Sequence, residues 1–234
     1  QSWSEQRNST TYANLFNNDV DATLSEATWG KQGLALLENY WNLEDASTVV
    51  RPNPVQRETW VLARLSRKRT ADNNNNVKAD DDDPRDSILV RGIIDRLDMV
   101  RSDDDGNVAL RLIDYKSGKA PHLKYSDSMN AKIRKEAFEQ LYIYALLLRE
   151  GRSNPMTLRY LRLFYLNNVD NSAEQWDLDL GPDEWTKNEA LDQVHDQILD
   201  TWLDICDLLD SPNPFQSFTH CTRHQDGIFG RGNR

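Results

Sequence analysis

Apolar residues recur at helical spacing from Thr28 to Tyr40, where Leu34, Leu37 and Tyr40/Trp41 fall together, and the spacing predicts a helix. From Val55 to Leu65 the pattern alternates and β-formers dominate, which predicts a strand. Ile88 to Val100 and Val108 to Lys116 predict two more strands. The short linker between them, Asp103-Asp104-Asp105-Gly106-Asn107, has turn chemistry. Ala131 to Glu150 predicts a helix closed by Gly151. Thr157 to Leu166 is an apolar, aromatic strand, and Gln175 to Leu180 an edge strand. Pro182 and Asp183 open a last helix that runs to about Asp210, before Ser211-Pro212. Helix, three strands, helix, one or two strands, helix is the order of a single α/β domain on a mixed sheet. After the first strand comes Asp72 to Pro84, with Asn73–Asn76 and Asp80–Asp83. It has almost nothing to bury, so a disordered surface insert is expected over about 70–86. No internal repeat is visible.

Length changes little in that picture: 234 residues are enough for a sizeable core in one domain. The longest apolar runs, such as Ala145 to Leu148, are far too short to cross a bilayer, so no membrane partner is expected. Gln1 to Asn8 is polar, so no signal peptide is visible in it. Without an initiator Met, the chain reads as a fragment or a processed product. Two cysteines, Cys206 and Cys221, argue against a disulfide scaffold and fit a reducing compartment. An intracellular location is expected, nucleus or organelle included. Two cysteines also cannot ligate a four-cysteine iron–sulfur cluster, so no such cluster is expected in this chain.

Charge matters more. A net charge of -10 seems to oppose a nucleic-acid partner, since phosphates need positive potential. The acidity is concentrated, however, in Thr70–Asp86, Asp103–Asp105 and Asp183–Asp210, and the rest of the chain is net positive. A basic cleft elsewhere is compatible with the composition.

The candidate chemistry comes from the hairpin. If it turns symmetrically about Asp104–Asp105, Met99 faces Leu110, Leu97 faces Leu112, and Asp95 then faces Asp114. Lys116 follows two residues on, on the same face. That face reads Leu89, Ile93, Leu97 and Met99 on one strand and Val108, Leu110 and Leu112 on the other, interrupted by two acids and a lysine. Directly opposed carboxylates repel, and the cost rises where the surface faces a core. A divalent cation bridging them offsets that cost. The alternative is a solvated pair at a sheet end, neutralised by Lys116 or Arg96. Two carboxylates, a lysine and a metal suit phosphodiester hydrolysis: the metal acidifies a bound water, and the lysine orients it or stabilises the developing charge.

At these residues the chain resembles the PD-(D/E)XK nuclease superfamily, in particular its RecB-like branch. Gly92-Ile-Ile-Asp95-Arg-Leu-Asp98 resembles the glycine-led aspartate motif. Leu112-Ile-Asp114-Tyr-Lys116-Ser-Gly118 resembles the acid-x-lysine motif, and Gln140-Leu-Tyr-Ile-Tyr144 the Gln-x-x-x-Tyr helix. The similarity spans about residues 28 to 225. It implies a restriction-endonuclease-like core, a mixed central sheet flanked by helices. It implies that Asp95 and Asp114 ligate Mg²⁺ or Mn²⁺, with the Tyr115 carbonyl as a further ligand and Glu58, the upstream acid, completing the shell. It implies a catalytic Lys116, with Gln140 beside it. Gln140 and Tyr144, on one helix face, would contact the DNA backbone, and Lys119 and Arg96 are further candidate DNA contacts.

The function that follows is a metal-dependent nuclease acting on DNA single strands or ends, in repair or recombination, within a larger repair complex. A catalytically weakened nuclease fold serving as a DNA-binding or scaffold module is the alternative, and an acidic interaction domain a third reading. Two departures bear on the choice. Many relatives carry a histidine on the first helix, and Trp29-Gly-Lys-Gln-Gly-Leu34 has none. Many end in a cysteine cluster, whereas Asn213-Pro-Phe215 is followed by Cys221 alone.

Other features read more blandly. His220, Cys221 and His224 have ligand-like spacing but no partner pair, and a solvated tail is expected. His122 lies between Lys119 and Lys124 in a loop that either contacts phosphates or merely connects. Asp192, Asp196, Asp200 and Asp204 form a stripe opposite Leu191, Val194, Ile198, Trp202, Ile205 and Leu209, expected as the solvated face of an amphipathic helix or as a dock for a basic partner. Arg64, Arg67, Lys68 and Arg69 either grip DNA or neutralise the acidic insert.

Overall fold

The structure, a computed structural model, describes residues 22–45, 47, 53–67, 84–101, 106–151, 157–167, 173–181 and 189–212. The Asn- and Asp-rich insert and the His220–His224 group lie outside the described residues. The elements are α1 (Ala22–Leu43), β1 (Pro54–Ser66), β2 (Ser87–Arg101), β3 (Val108–Lys116), α2 (Asp127–Gly151), β4 (Leu158–Tyr165), β5 (Glu174–Asp179) and α3 (Glu189–Asp210). The five strands form one sheet in the order β1-β2-β3-β4-β5. β1 and β2 run antiparallel, since Asn53 O accepts from Met99 N near one end and Asp86 O from Arg67 N near the other. β2 and β3 are antiparallel, β3 and β4 parallel, β4 and β5 antiparallel. A mixed sheet of this kind with helices is the α/β core that the chain's pattern predicts. The parallel pair needs a long crossover, and α2 supplies it.

Two compact units divide the chain: Gln1–Thr59, Ile94–Leu141 and Leu158–Leu180 make one, and Trp60–Ile93, Tyr142–Thr157 and Gly181–Arg234 the other. The division cuts β1, β2 and α2. The first unit is a three-layer arrangement. Alternation along β3 and β4 sends Tyr115 and Phe164 to one face, where α1 covers them: Tyr40 meets both rings edge-on, and Tyr115 stacks on Phe164. Leu112, Asp114 and Leu163 point to the other face, towards the first turns of α2, where Arg134 lies over the Trp176 ring. Leu97, Leu112, Ile113, Leu141, Leu161, Leu163 and Phe164 are fully buried.

One expectation about α1 is reversed. Leu34, Leu37 and Trp41, whose spacing with Tyr40 predicts the helix, are more than half exposed. Asn39 is buried instead, its Nδ2 donating to Leu166 O at 2.7 Å, and Tyr40 is half-buried beside it. In the hairpin, Gly106 has a φ of +67°, a conformation open to glycine at little cost, as the turn chemistry predicts.

In the second unit α3 buries Leu191, His195 and Leu199. Several of its acids are engaged within the unit. Asp200 accepts from Arg67 at 2.9 Å, Asp207 and Asp210 from Arg85, and Asp192 from Arg149. The exposed pairs to Arg67 and Arg85 contribute little stability, but they give Arg67 a partner on α3. Ile205 and Leu209, expected on the buried face, are exposed. No helix among the described residues is long and apolar enough to cross a membrane.

Candidate metal-binding active site

The hairpin register is the one that the turn predicts. Met99 pairs with Leu110, Leu97 with Leu112 and Arg96 with Ile113. The paired residues end there; continued one step, the same register would set Asp95 opposite Asp114. There the Asp95 side chain takes over a role in joining the strands: its Oδ2 accepts the Tyr115 backbone N–H at 3.0 Å. Asp114 is buried, and its carboxyl lies above the usual aspartate range. Burial is the main cause; Lys116 opposes it, and the charge of nearby Asp95 adds to it. The face does not stay closed along β2, because Leu89 and Ile93 are exposed. Asp95 therefore stands between a core and an open surface, half-buried.

Lys116 ends β3, and its carbonyl is fixed by Leu166 N at 2.9 Å. Its ammonium sits 2.6 Å from Asp114 Oδ2 and donates to Gln140 Oε1, also at 2.6 Å. Asp114 Oδ2 is buried, with the ammonium as its ion-pair partner and no further hydrogen bond. Asp95, Asp114, Lys116 and Gln140 thus gather at the carboxyl end of β3, where open α/β sheets hold their ligands.

The donor set fits a hard divalent cation. Two carboxylates repel at close range, a buried oxygen lacks a hydrogen bond, and magnesium is commonly held by one or two carboxylates with water completing its shell. Among the described residues no three His, Cys, Asp or Glu side chains come together as a ligand group. Glu58, expected to complete the shell, is not brought in as a third acid. It lies exposed on β1, with a backbone φ of +46° that side-chain-bearing residues rarely adopt.

Other expected site residues fall elsewhere. Lys119, His122 and Lys124 are exposed in the loop between β3 and α2. Tyr144, in the second unit, lies against Gly92: a Cβ on that glycine would be 2.6 Å from Tyr144 Cε1. That contact is the physical reason for a glycine at the head of the aspartate motif.

Arg96 is not placed to meet a phosphate. It points to the sheet face opposite Asp95, with its side chain 6% exposed, between Glu44 and Asp98. Nη1 and Nη2 donate to the two Glu44 oxygens at 2.7 Å each, and Nε and Nη2 to the two Asp98 oxygens at 2.8 and 2.7 Å. Nη1 also donates to Tyr115 Oη at 2.8 Å and to Tyr40 Oη at 3.2 Å. Burial alone would raise the Glu44 carboxyl, but hydrogen bonds from Arg96 and Tyr40 outweigh it and hold the group below its usual value. The sequence carried a signal for half of this: Arg96 and Asp98 alternate with Asp95, so they share the opposite face and have opposite charge. Glu44, from the end of α1, had none.

Among curated proteins none matches the chain at a significant level. The sequence model of one family does match, over residues 4–223, which takes in every strand and helix described above. The acidic pair, the lysine at the end of β3 and the helix-borne glutamine beside it lie inside that span, and the chain belongs to the PD-(D/E)XK nuclease superfamily.

Proposed function

We propose that this protein is a Mg²⁺- or Mn²⁺-dependent deoxyribonuclease that acts on single strands or DNA ends in repair or recombination, within a larger complex. One observation carries the reading: Asp114, raised by burial and by Asp95, shares the Lys116 ammonium with Gln140. Membership of a nuclease superfamily supplies the nucleic-acid substrate class.

Asp95 and Asp114 would hold the ion, with the Tyr115 carbonyl as a further ligand. The ion supplies an acidified water and neutralises charge on the phosphoryl oxygens. Ligation would offset the repulsion between Asp114 and Asp95, and would leave Lys116 to turn its ammonium to the scissile phosphate, where a fixed positive charge favours the more highly charged transition state. Gln140 accepts from Lys116 and holds it at the end of β3. Gln140 and Tyr144, one helical turn apart on α2, and Lys119 in the loop before that helix are the residues we assign to the DNA backbone.

The test is cleavage of end-labelled single- and double-stranded DNA with Mn²⁺, beside Lys116→Ala. Cleavage lost in the variant supports the enzyme. Binding without cleavage by the natural chain refutes it in favour of a DNA-binding module, the reading to which the first helix's lack of histidine belongs.

A further inference from the structure

The two aspartates are each followed in the chain by a residue that crosses to the far side of the sheet. Arg96 follows Asp95, and Tyr115 follows Asp114. These two followers are joined on the far face, Arg96 Nη1 donating to Tyr115 Oη at 2.8 Å. On the near face the Tyr115 N–H is given to Asp95 Oδ2 at 3.0 Å. Both bonds fall just beyond the last paired residues of this end of the ladder, Arg96 and Ile113. Two carboxylates that repel each other are therefore tied together from behind, at the place where backbone pairing stops.

The far-face tie is itself immobilised. Arg96 is held at both ends of its fork, by Glu44 from the end of α1 and by Asp98 on its own strand. Asp98 is wholly buried and also accepts from Arg111 at 3.2 Å. Two arginines and two acids leave the cluster without net charge, and charge-assisted, bidentate bonds of this kind fix direction as well as distance. The Tyr115 ring is packed between Tyr40 and Phe164.

We propose that Arg96 and the Tyr115 hydroxyl are positioning residues for the cation site. Glu44 and Asp98 lock Arg96, Arg96 locks Tyr115, and the Tyr115 peptide sets the spacing of Asp95 and Asp114. The inference rests on the metal-dependent reading above. Groups behind the ligands commonly change metal affinity or activity by about 10–100-fold when removed. A far-face hydroxyl is expected to act in that range, although it touches neither ion nor substrate.

Tyr115→Phe is the sensitive variant, because it removes one oxygen and leaves the stacked ring. Tyr40→Phe is its control. It deletes an equivalent hydroxyl from the same cluster, one carried by α1 rather than by β3. Mn²⁺ affinity is read by titration calorimetry or by electron paramagnetic resonance, without substrate, and melting temperature is read beside it. We expect about tenfold weaker Mn²⁺ binding in Tyr115→Phe. We expect less than about twofold weakening in Tyr40→Phe, with similar melting temperatures in both. Equal losses of stability in the two variants, with Mn²⁺ affinity unchanged in each, would leave a structural cluster and overturn the proposal. Should the natural chain bind Mn²⁺ and cleave DNA while Tyr115→Phe does both equally well, this inference alone fails. If the natural chain binds no Mn²⁺, both readings fall.

Discussion

Asp114→Asn should make the metal-free protein more stable at neutral pH. The carboxyl is buried, its Oδ2 receives no hydrogen bond, and Asp95 lies close enough to push its ionisation higher. A buried acceptor left without a partner costs about 1–3 kcal/mol. The Lys116 ion pair at 2.6 Å offsets part of that cost, so a gain of about 1 kcal/mol is expected for the neutral isostere. For a chain of this size that corresponds to a rise of roughly 2–4 °C in melting temperature. The direction with pH follows from linkage. A carboxyl whose folded pKa lies above its unfolded value takes up a proton on folding, so stability falls as pH rises through the interval between the two values. Above the folded pKa the full penalty is present; below the unfolded value, about 3.9 for aspartate, none remains. The advantage of Asp114→Asn should therefore be complete at neutral pH and vanish in acid. Differential scanning calorimetry in EDTA across that range measures it. Mn²⁺ at about 100 times its dissociation constant should then add about 2.7 kcal/mol to the natural protein, and little to the variant. A variant less stable than the natural protein at neutral pH, or an advantage that persists in acid, refutes the claim that the two carboxyls are held together at a cost.

Three further outcomes are expected. Glu58→Gly relieves a left-handed backbone at +46° and should stabilise the fold by about 1–2 kcal/mol in chemical denaturation; an accompanying loss of Mn²⁺ affinity would place Glu58 in the metal shell after all. Gly92→Ala puts a Cβ 2.6 Å from Tyr144 Cε1 and should cost about 1–3 kcal/mol. In a double-mutant cycle most of that cost should disappear beside Tyr144→Ala, and strictly additive losses would show that the ring is not what excludes the side chain. Arg96→Met leaves buried Glu44 with the Tyr40 hydroxyl and Asp98 with Arg111 alone, and should cost about 3–5 kcal/mol, read as a shift of the urea midpoint; a change within experimental error would return Arg96 to the surface.

Much of this architecture is legible in the residues because alternation leaves few choices. β3 has the bounds that its pattern gives, Val108 to Lys116, and the hairpin register follows from where the Asp- and Gly-rich turn sits. A slip of one residue would have turned Asp114 to the far side of the sheet. What the pattern leaves open is the face to which each residue answers. Around Leu97 both sides of β2 are covered, so the charged Arg96 and Asp98 are buried like Leu97, and a basic residue beside the aspartate passes for a phosphate contact when it is an internal ion pair. Asn39 is buried on α1 although the helix's apolar spacing does not mark it, because a hydrogen bond to Leu166 O holds it there, whereas of the residues the spacing does mark Tyr40 packs inward on Tyr115 and Phe164. Gly92 is recognisable as a motif residue, but its reason, a tyrosine ring carried by another element, exists only in the folded chain.

The account depends on Asp95 and Asp114 meeting at one divalent ion. Crystals of the protein grown with Mn²⁺, measured at a wavelength that excites manganese, test this directly. An anomalous peak bridging the two carboxyl groups, with Lys116 beside it and Tyr115 still joined to Arg96 behind, is the predicted result. Aspartates facing opposite sides of the sheet, or manganese bound elsewhere with the pair left empty, would contradict it.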